Sequence, residues 1–75
     1  MNPTIDEITT LVRLQLGLKE VHPEHYLIEE LGADSADVVN IIAAIEEKYN
    51  IFIDEEELIN IRTVTDLHNQ VQNRV

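Results

Sequence analysis

Apolar residues recur every three or four positions in three stretches of the chain, the spacing of one face of an α-helix. In the first stretch these residues are Ile5, Ile8, Leu11, Val12 and Leu16. Thr4 and Glu7 have the spacing of a capping box, and Gly17 is a typical helix C-cap. A first helix is therefore predicted between Thr4 and Gly17. Leu14 falls on the opposite face, and we expect a loop to fold over it.

The second stretch predicts a helix from about Ser35 to Tyr49. The apolar face of this helix comprises Val38, Ile41, Ile42, Ile45 and Tyr49. Its outer side or margins carry Ala36, Asn40, Ala43, Ala44 and Glu47. Most of these outer side chains are small, which allows another surface to approach closely, although alanine is also the strongest helix former.

The remaining part of the chain predicts a short helix and a last long one. Ile51 to Ile53 form a brief apolar link, and Asp54 can cap a short helix from Glu55 to Ile59. Thr63 and Asp66 repeat the capping-box spacing. The apolar residues of the last helix are Val64, Leu67, Val71 and Val75.

The connection over residues 18–34 is too apolar for a solvated linker, and we expect it to pack onto the core with a short helical turn before Gly32. Its apolar residues are Leu18, Val21, Tyr26, Leu27, Ile28 and Leu31. No segment shows the sustained alternation of a strand. The predicted fold is all-α, a small bundle of three main helices plus one short helix, with a long packed loop between the first two. Its 75 residues allow a single domain over 1–75.

The charge balance restricts the kinds of partner. Fifteen Asp and Glu stand against five Lys and Arg, a formal net charge of -10. This excludes a protein that wraps duplex nucleic acid, because few cations could replace the counterions of the phosphates. It also disfavours anionic lipid, so we expect basic protein surfaces as partners and no nucleic acid. The longest apolar run, Ile41 to Ile45, is too short for membrane insertion. No signal-peptide pattern is present, and the expected protein is a cytoplasmic monomer.

Candidate catalytic and metal-binding groups are scarce. The chain has no cysteine, and Ser35 is its only serine. The three histidines have no spacing that ties them to Ser35 or to a metal ion. An EF-hand loop starting at Asp34 fails, because Val39 stands where that loop needs glycine and Ile45 where it needs glutamate. The sequence therefore does not indicate an enzyme, and no metal site is predicted.

The segment from Gly32 to Asp37 is the most informative one. Its ordinary interpretation is a helix N-terminus, with glycine for the turn and an acidic or serine N-cap. Asp34 with Asp37 already supplies such a cap. Ser35 then stands at the first helical position with its hydroxyl directed outward, where a phosphate group is electrostatically favoured.

The Gly32-Ala33-Asp34-Ser35 segment resembles the 4'-phosphopantetheine attachment motif of acyl carrier proteins, usually Gly-x-Asp-Ser-Leu-Asp/Glu. The resemblance extends over nearly the whole chain: Ile5 to Gly17, Leu31-Gly32, Ile41 to Tyr49, Asp54 to Ile61 and Thr63-Val64. It implies that a phosphopantetheinyl transferase, using coenzyme A and Mg²⁺, attaches 4'-phosphopantetheine to Ser35. Gly32 and Asp34 belong to the cofactor-binding motif. The arm would carry acyl or related groups as thioesters, and its thiol would replace the missing cysteine.

The resemblance also implies a docking face and an acyl pocket. The expected partners are acyl-transferring, condensing or acyl-loading enzymes with basic docking surfaces. The docking residues are Asp34, Ala36, Asp37, Glu46 and Glu47. The expected pocket residues are Val38, Val39, Ile42, Ile45, Leu58, Ile59 and Ile61. For the acids the alternative is a solvated helix face, and for the apolar residues it is an ordinary core.

Three departures from the usual pattern indicate a specialised carrier. Ala36 replaces the usual leucine, Asn40 and Ala43 replace an acid and a larger apolar residue, and Ile51 and Phe52 are unusually apolar. This pair either extends the docking surface or packs, and we expect one of the two to pack. The pathway would be secondary-metabolite, lipid-modifying or amino-acid-loading. A carrier-like interaction module that acts without the arm is the main alternative, and the acid density leaves a Ca²⁺ or Mg²⁺ sensor open.

Overall fold

The computed structural model describes residues 2–75 and shows three α-helices and one 3-10 helix. The α-helices are α1 (Ile5–Leu16), α2 (Ser35–Tyr49) and α3 (Val64–Gln72), and the 3-10 helix spans Glu55–Asn60. Within residues 2–75 there is no β-strand, and only an isolated bridge pairs Tyr26 with Thr63. The predicted all-α class is confirmed.

Helix α1 begins and ends where its capping residues predict. The side chain of Thr4 accepts a hydrogen bond of 3.1 Å from the backbone N–H of Glu7. At the other end Gly17 adopts a left-handed conformation with φ 68°, which glycine tolerates without steric cost. The expectation that a loop covers Leu14 is wrong, because this side chain is 65% exposed. The loop after α1 packs elsewhere.

Residues 18–34 pack along the start of α3. The backbone N–H of Leu27 donates to the carbonyl of Arg62 at 2.9 Å, and the N–H of Thr65 donates to the carbonyl of Pro23 at 2.9 Å. A single helical turn closes where the N–H of Glu30 donates to the carbonyl of Tyr26 at 3.1 Å, and the N–H of Leu31 shares this acceptor at 3.0 Å. The packed loop and its turn before Gly32 are confirmed, and the loop pairs with α3 and not with the face of α1 that carries Leu14.

One apolar core joins all segments of the described chain, and α1 packs against both α2 and α3. Its most deeply buried side chains are Ile8, Val12, Leu27, Ile41, Ile45, Val64, Leu67 and Val71. Close helix packing is what a small chain without disulfides needs for stability. The domain boundaries at residues 1 and 75 stay a prediction. None of the helices described is long and apolar enough to cross a membrane.

The C-terminal part follows the predicted order with two corrections. Thr63 and Asp66 form the predicted capping box of α3. Asp54 precedes the 3-10 helix, but its side chain makes no capping hydrogen bond. Val75 is not part of the last helix, because α3 ends at Gln72 and Val75 is 43% exposed. The periodic pattern continues to Val75, but the chain leaves the helix one turn earlier.

Candidate functional site

Ser35 is the first residue of α2, as the sequence predicts. Asp34 is the N-cap, and its side chain accepts a hydrogen bond of 2.8 Å from the N–H of Asp37. In return, the Asp37 carboxylate accepts one of 3.1 Å from the N–H of Asp34. This reciprocal capping box satisfies the helix start without the Ser35 hydroxyl. Ser35 itself is exposed.

The two residues before the N-cap, Gly32 and Ala33, hold the chain that leads to Ser35. Ala33 is 3% exposed, and its N–H donates to the carbonyl of Leu27 at 3.0 Å. Gly32 has φ 75°, a left-handed conformation that other residues rarely adopt. A Cβ added at Gly32 would meet nothing within 4 Å, so its conformation and not a lack of space calls for glycine.

A cavity of about 170 Å³ adjoins Ser35. Besides Ser35 it is lined by Ile28, Val38, Val39, Leu58 and Ile61. An accessible hydroxyl at a helix N-terminus, beside an apolar recess, fits a phosphate-linked prosthetic group with an apolar cargo. Ile28 was not predicted as a pocket residue, because the loop around it has no helical periodicity that would have fixed its direction.

A second cavity of about 290 Å³ lies between α2 and the segment that follows it. Its apolar lining is formed by Val39, Ile42, Ala43, Phe52, Ile53 and Leu58. Glu46 and Glu55 also line it. Val39 and Leu58 belong to both cavities, so the two recesses are neighbours on the same side of the molecule.

The residues expected to line an acyl pocket are not all brought together. Val38, Val39, Ile42, Leu58 and Ile61 line one or both of these cavities. Ile45 is 0% exposed and lies in the core, whereas Ile59 is 74% exposed; neither lines either cavity. Sequence spacing cannot separate the wall of a cavity from the core behind it.

Two further hollows lie away from Ser35. Each has a volume of about 370 Å³, and Glu7 and Lys48 line both. Lys48 is thirteen residues after Ser35 in the same helix, which corresponds to about 20 Å along its axis. These hollows are therefore separate from the candidate site.

The candidate docking residues lie at the two ends of α2. Asp34, Ala36 and Asp37 surround Ser35, and Glu46 and Glu47 follow some three turns later. Glu47 is exposed, whereas Glu46 is half-buried. A carboxylate oxygen of Glu46 accepts a hydrogen bond of 2.8 Å from the N–H of Ile53, so this acid also holds the following loop in place.

The small outer side of α2 is confirmed. Ala36, Asn40, Ala43 and Glu47 are all exposed, and Ala44 is half-buried. For metal ions, residues 2–75 contain no group of three or more His, Cys, Asp or Glu side chains arranged to hold one.

This fold and the exposed serine match a known class of helical carrier domain. The family profile described as "Phosphopantetheine attachment site" matches residues 6–71. The chain is 44% identical over 69 residues to an acyl carrier protein of Wolinella succinogenes, covering 89% of this chain and 91% of that protein. It is also 44% identical over 66 residues to an acyl carrier protein of Helicobacter hepaticus, covering 85% of this chain and 87% of the relative. The chain belongs to the acyl carrier protein family.

The prosthetic group of this family is 4'-phosphopantetheine. Its terminal thiol forms the thioester that holds the acyl chain. The chain itself has no cysteine, and the surroundings of Ser35 described above suit such a group.

Proposed function

We propose that this protein carries acyl or related carboxylic groups on 4'-phosphopantetheine attached to Ser35, and that it is not itself an enzyme. The observation that supports this proposal is the exposed position of Ser35 as the first residue of α2, next to an apolar cavity. Asp34 and Asp37 cap the helix. Ser35 can therefore be modified without loss of a structural hydrogen bond in the cap.

The start of α2 suits a phosphodiester. The capping box uses the N–H of Asp37, and the N–H of Val38 donates to the carbonyl of Asp34. The N–H groups of Ser35 and Ala36 have no acceptor within the helix, as at any helix N-terminus, and are left for solvent or a phosphate oxygen. The aligned peptide dipoles of α2 favour a negative charge there.

The apolar cavities supply the proposed cargo site. Cargo that folds back from Ser35 enters the recess of Val38, Val39 and Ile61, and its far end reaches the buried wall of the neighbouring recess at Ile42. The exposed outer wall of that neighbouring recess stays open. Leu58 lies between the two recesses as a shared wall. Ile45 is buried in the core, and Ile59 is exposed and lines neither cavity. We therefore leave both out of the proposed pocket lining.

The proposed partners are a phosphopantetheinyl transferase and acyl-transferring, condensing or acyl-loading enzymes with basic docking surfaces. Asp34, Ala36 and Asp37 would contact them beside Ser35, and Glu46 and Glu47 at the other end of α2. Each exposed ion pair contributes about 0–1 kcal/mol. Several weak pairs give complexes that dissociate readily and weaken as salt is added.

The small outer side of α2 supports a specialised member of the family. Ala36, Asn40 and Ala43 are exposed and offer no large apolar anchor. Binding energy is concentrated in few interface residues, so changes at these positions alter the set of partners. A cytoplasmic location and a monomeric state stay predictions.

Intact-mass spectrometry after incubation with coenzyme A, Mg²⁺ and a broad-specificity transferase tests the attachment. Wild type is expected to gain the mass of one phosphopantetheine unit, and Ser35→Ala none. Circular dichroism of Ser35→Ala checks that the helices are intact. An unchanged wild-type mass across several transferases would contradict the proposal and favour an interaction module that acts without the arm. A gain of mass by Ser35→Ala would place the attachment at another residue.

A further inference from the structure

Phe52 is an exposed aromatic residue in a well-anchored loop. It is the only phenylalanine of the chain, and 71% of its surface is exposed. A single exposed apolar residue is common in proteins and assigns nothing by itself. The surroundings of Phe52 are what distinguish it from the equally exposed Ile59.

Hydrogen bonds on both sides of Phe52 fix the backbone that presents it. The N–H of Ile53 donates to the carboxylate of Glu46 at 2.8 Å, and the N–H of Ile51 donates to the carbonyl of Glu46 at 3.1 Å. The carbonyl of Phe52 accepts a hydrogen bond of 2.9 Å from the Arg74 guanidinium. Ile53 is 4% exposed and fills the core, so its neighbour Phe52 is directed to the surface.

The exposed ring stands at the side of a recess. Phe52, Val39 and Ala43 line the cavity of about 290 Å³ together. Val39 is 52% exposed, so this wall is also accessible from outside. The small side chain of Ala43 leaves room between them. The result is an apolar anchor next to an open space that an inserted side chain can occupy.

Charge complementarity indicates the occupant. Glu46 and Glu55 also line the recess, and residues 34–47 include no Lys or Arg. The Arg74 guanidinium is already engaged with Phe52 and with the carbonyl and side chain of Gln70. A second copy of a chain with net charge -10 would bring acids against acids. An apolar side chain flanked by cationic residues suits the recess better.

We propose that Phe52, with Val39 and Ala43, is a docking anchor that receives an apolar side chain flanked by Lys or Arg from a partner enzyme. This inference rests on the proposed carrier function, since it names a contact with the enzymes that the carrier serves. The anchor compensates for the small outer side of α2, and it lies beside the recess that adjoins Ser35. It therefore positions a partner next to the attachment site and determines which partners bind.

A peptide titration followed by nuclear magnetic resonance tests this anchor. The probe is a synthetic amphipathic helical peptide with a row of Leu and Phe flanked by Lys and Arg, added to the full chain without the arm. Amide shifts are expected around Val39, Ala43 and Phe52. Phe52→Ser should weaken binding by about tenfold or more, as for the loss of a hot-spot residue. The matched control Ile59→Ser, which removes an exposed side chain outside both cavities, should leave binding within about twofold.

Two further samples keep the test decisive if Phe52→Ser perturbs the loop. Ala43→Gln fills the recess without altering Phe52 and should also weaken binding. A second peptide has the same charge, with serine in place of the apolar row. Its affinity for wild type should be no higher than the affinity of the original peptide for Phe52→Ser. Equal affinity of both peptides would show that charge alone attracts them and would overturn the proposal.

Other occupants give different results. Sedimentation that shows self-association of wild type, lost in Phe52→Ser, would assign the anchor to a second copy and overturn the proposal. Contacts between the Phe52 ring and the cargo of acylated protein, with unchanged peptide affinity in Phe52→Ser, would assign it to the cargo instead. The titration uses protein without the arm and is therefore independent of the loading assay on Ser35. A negative titration would overturn the docking anchor alone, and a negative loading assay would contradict the carrier function alone.

Discussion

The Glu46 carboxylate accepts a hydrogen bond of 2.8 Å from the backbone N–H of Ile53, seven residues further along the chain. Ile53 is 4% exposed, so water has little access to replace this acceptor. Glu46 thus joins the end of α2 to the loop that presents Phe52. Glu46, expected from the sequence to be either a docking acid or part of a solvated helix face, also has a structural role.

Replacement of Glu46 by alanine is expected to destabilise the protein. The N–H of Ile53 would lose its acceptor, and leaving a buried donor unsatisfied costs about 1–3 kcal/mol. Urea denaturation measures this loss. Glu47→Ala, at the exposed neighbouring position, is the matched control and should change stability by no more than about 0.5 kcal/mol. Glu46→Gln keeps an acceptor oxygen and should recover most of the loss. Equal stability of the Glu46→Ala and Glu47→Ala proteins would contradict a structural role for Glu46.

The capping box at Asp34 provides a second prediction. Asp34→Ala removes the acceptor for the N–H of Asp37 and should cost about 1 kcal/mol in the free energy of unfolding. Asp34→Asn keeps a side-chain oxygen at this position and should remain closer to wild type. The two variants separate capping from charge. If Asp34→Asn unfolds as readily as Asp34→Ala, the charge and not the hydrogen bond stabilises the start of α2.

The sequence predicts the helix boundaries that local hydrogen bonds determine. Thr4, Asp34 and Thr63 cap helices by bonds to residues three positions later, and Gly17 ends α1 through its own backbone conformation. Such signals lie within a few residues and are visible without the fold. For the same reason the position of Ser35 at the start of α2 could be predicted before the structure was known.

Contacts between distant segments could not be predicted in the same way. The loop of residues 18–34 pairs with the start of α3, more than thirty residues away, and Leu14 on α1 stays exposed. Ile45 and Ile59 are both isoleucine, yet Ile45 lies in the core and Ile59 is exposed to solvent. Only the packing of the helices decides which apolar side chains line a cavity. The cavity-lining position of Phe52 depends in the same way on Glu46 and Arg74.

The exposure of Leu14 leads to a third prediction. Leu14→Ala should change the free energy of unfolding by no more than about 0.5 kcal/mol, since most of this side chain remains in water. Val12 lies in the same helix and is 0% exposed. Val12→Ala should destabilise the protein by about 1–3 kcal/mol, through lost burial and a cavity. Thermal or urea unfolding compares the stabilities of the two variants. A large loss of stability in Leu14→Ala would show that this side chain is covered in solution.

The contact between Tyr49 and Glu7 gives a pH-dependent prediction. The Tyr49 hydroxyl donates a hydrogen bond of 3.2 Å to Glu7. Burial, then this hydrogen bond and the negative charge of Glu7, raise the pKa of Tyr49 above the ordinary value of 10.0. The unfolded chain therefore loses the proton first as pH rises. The stability from this group is fully present below pH 10.0 and is lost as pH rises through the pKa of the folded protein.

Glu7→Gln should lower the pKa of Tyr49 towards 10.0, because the repulsion between glutamate and tyrosinate is removed. The pKa should remain above 10.0, because burial, the largest cause of the shift, is unchanged. Alkaline titration of tyrosinate absorbance measures it in a Tyr26→Phe background, where Tyr49 is the only tyrosine. Asp6→Asn removes an equal charge at the neighbouring position without affecting the hydrogen bond, and it should shift the pKa less. Equal shifts in the two variants would attribute the effect to net charge and not to the contact between Glu7 and Tyr49.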